Sequence, residues 1–302
     1  MTWLFFAFSA PVLWAASTHI DKYLVERFFK HSGVAVLMVF TALIGLVPLP
    51  LIAAFQPGIC SVPLSSIAVI SGSGVLYMAG MFFYLQALQS EEASVVAPFY
   101  QATPLFGYVL AYLVLGETLT AKQMGGGLLI VFGTLLVSLG PSSVKARFKL
   151  RLVVLMLSCA LVLAISTTIF KVFAIAEEFW TTVFWTFVGE AAFGIVLLAM
   201  PGCRRKFVLS LKANTGAMLA INGANELINL GGSLGARYAL LLAPLSLVQA
   251  IGSTTTLFVF LFGVVLTIFL PRLGHEDLSP RNLAQKGVSA GLVAIGVVLV
   301  GG

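Results

Sequence analysis

The residues of this 302-residue chain best suited to chemistry are polar groups stranded among apolar ones. In AINGANELINLGGS (Ala220–Ser233), Asn222, Asn225, Glu226 and Asn229 recur at i, i+3, i+4 and i+7, the spacing of one helix face. A second acid, Glu190, stands at the middle of another apolar run, about 15 Å from either end. Neither acid has a basic residue within four positions, so neither can be neutralised by a neighbour on its own helix. A charge at the centre of a bilayer costs upwards of ~2.5–3.5 kcal/mol, so both must face protein or water. Such groups can bind a cation, exchange a coupling proton, or tie helices together through hydrogen bonds. The four-residue stripe is read as cavity-lining, with helix-to-helix bonding as the alternative.

The same reasoning picks out aromatic and amide groups inside apolar runs. Tyr77, Tyr100, Gln101, Gln249 and Ser253 suit a pocket that holds an amphipathic solute. With Glu226, Glu190, Asn222, Asn225 and Asn229 they form the expected substrate-binding and coupling set. Lys171, near the end of its run, is read as reaching the surface, with pairing to a substrate anion as the alternative. The segment HIDK (His19–Lys22) is read as a charged stop at a membrane edge.

The elements that position these residues follow from composition. Sixty per cent of the chain is hydrophobic and 9% charged, against about 25% charged in soluble domains. Ten apolar runs recur, at roughly 3–20, 34–55, 64–88, 93–115, 122–140, 151–173, 180–200, 213–237, 242–270 and 283–300. A bilayer takes about 20 helical residues to cross, so the expectation is an all-α polytopic membrane protein with ten transmembrane helices. The first run lacks a basic start and a clear cleavage site and is expected to be retained as a helix. Cys60, Cys159 and Cys203 have no metal or redox spacing, and no metal or cofactor is expected. The net charge of +6 is spread over short loops, which speaks for membrane orientation rather than nucleic acid.

A basic segment at 141–150 divides the chain into residues 1–140 and 151–302. Around their central helices the halves align without gaps. Ala87-Leu88 meets Ala239-Leu240, Ser94 meets Ser246, and Leu105-Phe106 meets Leu257-Phe258. Five spans per half is odd, so the copies must have opposite orientations, giving two inverted five-helix repeats. In the first half, Thr120 and Gln123 fit a capping box that starts a helix after the turn Gly116-Glu117-Thr118. The glycines of MGGG (Met124–Gly127) are expected to let helices approach closely.

The stretch ASVVAPFYQATPLFGYVLAYLVLGETLTAKQMGGGLLIVFG resembles the signature of the EamA-type drug/metabolite transporter superfamily. The marks are a proline-containing helix, the Leu-Gly-Glu turn and the glycine-rich helix that follows. The second half carries a degraded copy, with Phe269 where the turn acid would be. The resemblance implies a ten-helix transporter of small metabolites, drugs or nucleotide-sugar-like solutes.

The expected function is secondary transport by alternating access, coupled to protons or running by exchange, with a lipid or lipid-linked-sugar flippase as the alternative. A membrane-embedded enzyme would show clustered acids, histidines or arginines near the interface, and the only compact cluster, HIDK (His19–Lys22), is read as the membrane-edge stop. The partners expected are a small-molecule substrate and membrane lipids, with the chain a monomer or homodimer in a bacterial-type inner membrane. Loops after odd-numbered spans hold 14 basic residues against 3 elsewhere, which predicts those loops inside and both termini outside.

Overall fold

Backbone groups in hydrocarbon have no water to bond, so apolar runs of this length must satisfy them internally as helices. The computed structural model describes residues 2–24, 33–90, 99–100, 102–138, 150–213, 215–269 and 279–301. Helix makes up 90% of the structure, with no strand among the described residues. The helices are α1 (Thr2–Leu24), α2 (Val34–Ile44), α3 (Pro48–Phe55), α4 (Leu64–Ser90), α5 (Ala102–Leu115), α6 (Ala121–Ser138) and α7 (Leu150–Ala176). They continue with α8 (Phe179–Ala199), α9 (Pro201–Ala213), α10 (Thr215–Leu242), α11 (Leu245–Gly252), α12 (Thr255–Phe269) and α13 (Pro280–Gly301).

Among the described residues seven spans are long and apolar enough to cross a membrane: α1, α2 with α3, α4, α7, α8, α11 with α12, and α13. Helices α5 and α6 are apolar but shorter. Helix α10 has 28 residues, about 42 Å at 1.5 Å per residue, yet its asparagines and glutamate keep it out of that apolar set. Large apolar side chains such as Phe5, Val196 and Val298 are exposed, as lipid-facing groups would be. This is a multi-pass membrane protein.

Three elements differ from the apolar runs. The run 34–55 is two helices, because Pro48 opens α3 just after the chain leaves α2 at Gly45. The run 242–270 begins only after Pro244 and is interrupted at Ser253-Thr254 between α11 and α12. Residues 201–213, expected as a loop, form the basic helix α9, which is anchored by the Phe207 ring 4.7 Å from that of Phe40. Residues 91–98, within the run 93–115, lie outside the described residues.

Helix α1 packs along α10 and α12, while α7 packs along α4 and α5. Helix α2 lies on α8, and α6 lies on α13. Two contacts are close enough to require glycine. A Cβ on Gly74 of α4 would sit 2.0 Å from the Thr186 carbonyl of α8, and one on Gly189 would sit 1.8 Å from the Ser71 carbonyl. Gly126 in α6 and Gly296 in α13 meet likewise, each Cβ falling within 2.8 Å of the other's carbonyl. The first contact locks α4 against α8 beside Glu190 and so helps place the interior acids.

Candidate functional site

The polar stripe of α10 points into the protein. Glu226 is 5% exposed. Its Oε1 accepts a hydrogen bond from Thr41 Oγ1 of α2 at 2.7 Å, and its Oε2 one from Asn229 Nδ2 at 3.5 Å. Immediately before it in the chain, Asn225 donates through Nδ2 to Asp21 Oδ1 of α1 at 2.7 Å. Ser17 donates to the other Asp21 oxygen at 3.4 Å. Asn222 and Asn225 are fully buried, yet both amide ends of Asn222 and the Oδ1 of Asn225 have no partner among the described residues. Buried polar groups are normally satisfied, so these three atoms leave hydrogen-bonding capacity unused on one face of α10.

Glu190 of α8 is neutralised from another helix. Arg237, about six turns from the start of α10, donates from Nη2 to Glu190 Oε1 at 2.5 Å. Its guanidinium also lies over the Phe187 and Phe170 rings, 4.7 Å and 5.3 Å from their centroids. Tyr77 of α4 sits within electrostatic reach of Glu190, Arg237 and Glu226. Tyr84 is within reach of Asp21, and its ring centroid is 5.4 Å from that of Tyr100. A seam of charged, amide and phenolic groups therefore runs through the interior between α1, α2, α4, α8 and α10.

A second polar knot closes one end of the bundle. Gly116, at φ +64°, turns the chain so that Glu117 reaches across to the other half. Glu117 forms an ion pair with Lys171 of α7 through Oε1, and its Oε2 accepts the Leu245 backbone N–H at 2.8 Å. Lys171 also donates to the Ala243 carbonyl at 2.7 Å. The loop acid thus caps the start of α11, while the lysine satisfies a carbonyl past the end of α10. Next to this knot Thr120 and Gln123 bond reciprocally, Gln123 N–H to Thr120 Oγ1 at 3.2 Å and Thr120 N–H to Gln123 Oε1 at 3.1 Å.

With this geometry in view, comparisons with known proteins give three results. Residues 1–139 match the sequence model described as the EamA-like transporter family. The chain carries an EamA-like unit. No curated protein sequence matches it. A solved structure titled "Crystal structure of protein" is similar over 99% of this chain and 97% of its own, with a TM-score of 0.68 at 16% identity. At that identity the likeness speaks for the fold alone.

The structure brings Glu226, Asn222, Asn225, Asn229, Glu190 and Tyr77 into one neighbourhood, with Tyr100 joined to it through Tyr84. Gln249 lies elsewhere, on α11 against α5 and α6, and Ser253 follows the end of that helix. Ser253 and Thr134 share a hydrogen bond of 3.3 Å, and Gln249 Oε1 sits where a Cβ on Gly107 would fall 1.6 Å away. Gln101 lies outside the described residues. Lys171, read as reaching the surface, is instead 5% exposed and held by Glu117, because α7 passes directly beneath the α5–α6 turn. Asp21, read as a membrane-edge stop, turns inward to Asn225. Among the described residues no cluster of histidine, cysteine and acids has the makings of a metal site.

Arg237 and Thr41 are the members of the seam that sequence reasoning passes over. A signal for Arg237 exists: a solitary interior acid needs a cation on another helix, and few basic residues stand inside apolar runs. Thr41 has none, since threonine is common in membrane helices, where it bonds its own backbone.

Proposed function

We propose that this protein is a secondary transporter that moves a small polar or amphipathic solute across a bacterial-type inner membrane by alternating access. The observation that carries the reading is the interior position of Glu226, bonded to Thr41 from another helix and flanked by Asn222 and Asn225, three of whose four amide atoms have no partner among the described residues. An interior site of this kind favours a water-soluble solute over the lipid of a flippase. EamA-like proteins are membrane transporters, and secondary transporters bind their solutes near the midplane between repeats.

The architecture we infer has ten membrane helices as two inverted repeats, residues 1–140 and 151–302, with the two short helices and the polar α10 completing the set. The packing supports this. The pairing of α1 with α10 repeats as α7 with α4, and that of α1 with α12 repeats as α7 with α5. The α2–α8 and α6–α13 pairs would then straddle the pseudo-two-fold axis. Rocking of one repeat against the other would open the seam to each side in turn, with coupling to protons or to a second solute. The charge distribution supports an orientation with both termini outside.

The test is solute uptake by the purified full-length protein in proteoliposomes, offered a panel of amines, amino acids, sugars and nucleosides. Saturable, protein-dependent uptake of a panel member that falls at least tenfold in Glu226→Gln supports the reading. Uptake that is unchanged in that folded variant would show that the acid serves packing alone.

A further inference from the structure

Resting on that reading, we propose that Asp21 and Glu226, with the amides of Asn222 and Asn225, form a binding site for an organic cation bearing a primary ammonium group.

The argument begins with which charges are balanced. Four acids reach into the polar interior or its closed end: Glu117, Glu190, Asp21 and Glu226. Lys171 holds Glu117 and Arg237 holds Glu190. Asp21 and Glu226 have no ion pair with a basic residue among the described residues; their hydrogen bonds come only from Ser17, Asn225, Thr41 and Asn229. The two carboxylates are also near enough to repel one another. Low dielectric magnifies that repulsion, and no basic residue among the described ones offsets it, which leaves the charge balance of the site open to a bound cation.

The unpartnered amides refine the choice of cation. Asn225 spends its Nδ2 on Asp21, which leaves its Oδ1 as a buried acceptor. Asn222, 1% exposed and one turn along the same face, offers a second free Oδ1. Two carboxylates and two amide carbonyls make a site rich in acceptors. A primary ammonium carries three N–H donors and no acceptor, which is the complement. The remaining Asn222 Nδ2 is a donor for an oxygen elsewhere on the solute. A divalent metal ion fits poorly, since hard cations of calcium's kind collect six to eight oxygens and the described residues hold no cluster of three acids, histidines or cysteines. Tyr77 lies within electrostatic reach of Glu226 and Tyr84 within reach of Asp21, so aromatic side chains stand near both acids. Glu190 does not belong to this site's charge, because Arg237 already cancels it.

The experiment uses the purified full-length protein in detergent and three shape-matched probes: phenethylamine, its quaternary analogue phenethyltrimethylammonium, and 3-phenylpropionate. Thermal unfolding and calorimetric titration are both measured. Phenethylamine is expected to raise the unfolding midpoint saturably, the quaternary analogue to bind at least tenfold more weakly for want of N–H donors, and the anion to bind not at all. Asp21→Asn and Glu226→Gln should each weaken phenethylamine at least tenfold, while Glu178→Gln, at an exposed end of the bundle, should leave it unchanged. Should the charge variants misfold, Asn222→Ala removes an acceptor without altering charge and should weaken binding roughly threefold or more. The proposal is overturned if phenethylamine gives no saturable shift, if 3-phenylpropionate binds as well, or if Asp21→Asn/Glu226→Gln still binds the amine with unchanged affinity. These outcomes are separable from the transport reading: uptake of a neutral or anionic solute with no amine binding would remove the cation assignment alone, and amine binding without uptake of any solute would remove transport alone.

Discussion

Replacing Arg237 with methionine is the sharpest energetic test of the interior seam. The substitution keeps the volume of an apolar stem but removes the 2.5 Å bond to Glu190 and the stacking on Phe187 and Phe170. Glu190 is 7% exposed, so its carboxylate would be left buried with no counter-charge. Breaking a buried pair from one side costs about 3–5 kcal/mol, whereas replacing both partners with uncharged groups is often neutral or stabilising. Arg237→Met should therefore lose about 3–5 kcal/mol of stability, and Glu190→Gln/Arg237→Met should return to within about 1–2 kcal/mol of the parent protein. Reversible unfolding in mixed micelles by titration with a denaturing detergent reads both variants on one scale. If the double variant is no more stable than Arg237→Met, the two residues are not an energetic unit, and the account of how the interior charge is balanced fails.

Four further expectations follow. Lys171→Met should destabilise the protein by about 1–3 kcal/mol, since the Ala243 carbonyl and the Glu117 carboxylate each lose a donor; unchanged unfolding would show that the knot contributes nothing. Gly189→Val should abolish a monodisperse folded peak in size-exclusion chromatography, because its Cβ would fall 1.8 Å from the Ser71 carbonyl, while Gly202→Ala, with open space around it, should behave like the parent. On intact cells an impermeant maleimide should label the exposed Cys60 and spare Cys203, and the reverse pattern would put the termini inside. In permeabilised cells Cys203 should react slowly at neutral pH and faster as pH rises, because burial lifts its thiol above the usual range despite the opposing pull of Lys206.

Much of the local structure was legible because it depends on local chemistry. Thr120 and Gln123 announce a capping box, and it forms. The glycine run announces close helix approach, and Gly126 supplies it against Gly296. The stripe Asn222–Asn229 follows from helical periodicity alone, and its inward face follows from the cost of polar groups in hydrocarbon. Partners across the bundle were not legible. Arg237 near the end of an apolar run looks like a residue that reaches water, and only the packing of α10 near α8 delivers it to Glu190. Lys171 and Asp21 mislead in the same way, since a charged group near a span end has the same local sequence whether it turns outward or inward. The breaks at Gly45 and at Ser253-Thr254 escaped because apolarity continues through them, and hydropathy does not register a change of helix direction. Helix α9 escaped because its basic residues hide the buried stripe around Phe207.

The measurement that tests the central account most directly is accessibility of the seam from both sides of the membrane. In a cysteine-free background, Asn225→Cys places a thiol beside Asp21 and Glu226, whereas Leu227→Cys, at a position 60% exposed, places one on the lipid-facing side of the same helix. An impermeant, hydrophilic thiol reagent is applied to oriented vesicles from one side and then, in a separate preparation, from the other. Alternating access predicts that Asn225→Cys reacts from each side and that Leu227→Cys reacts from neither. A thiol at position 225 that stays unreactive from both sides, in protein that still folds, would mean that the seam is sealed packing and no transport site.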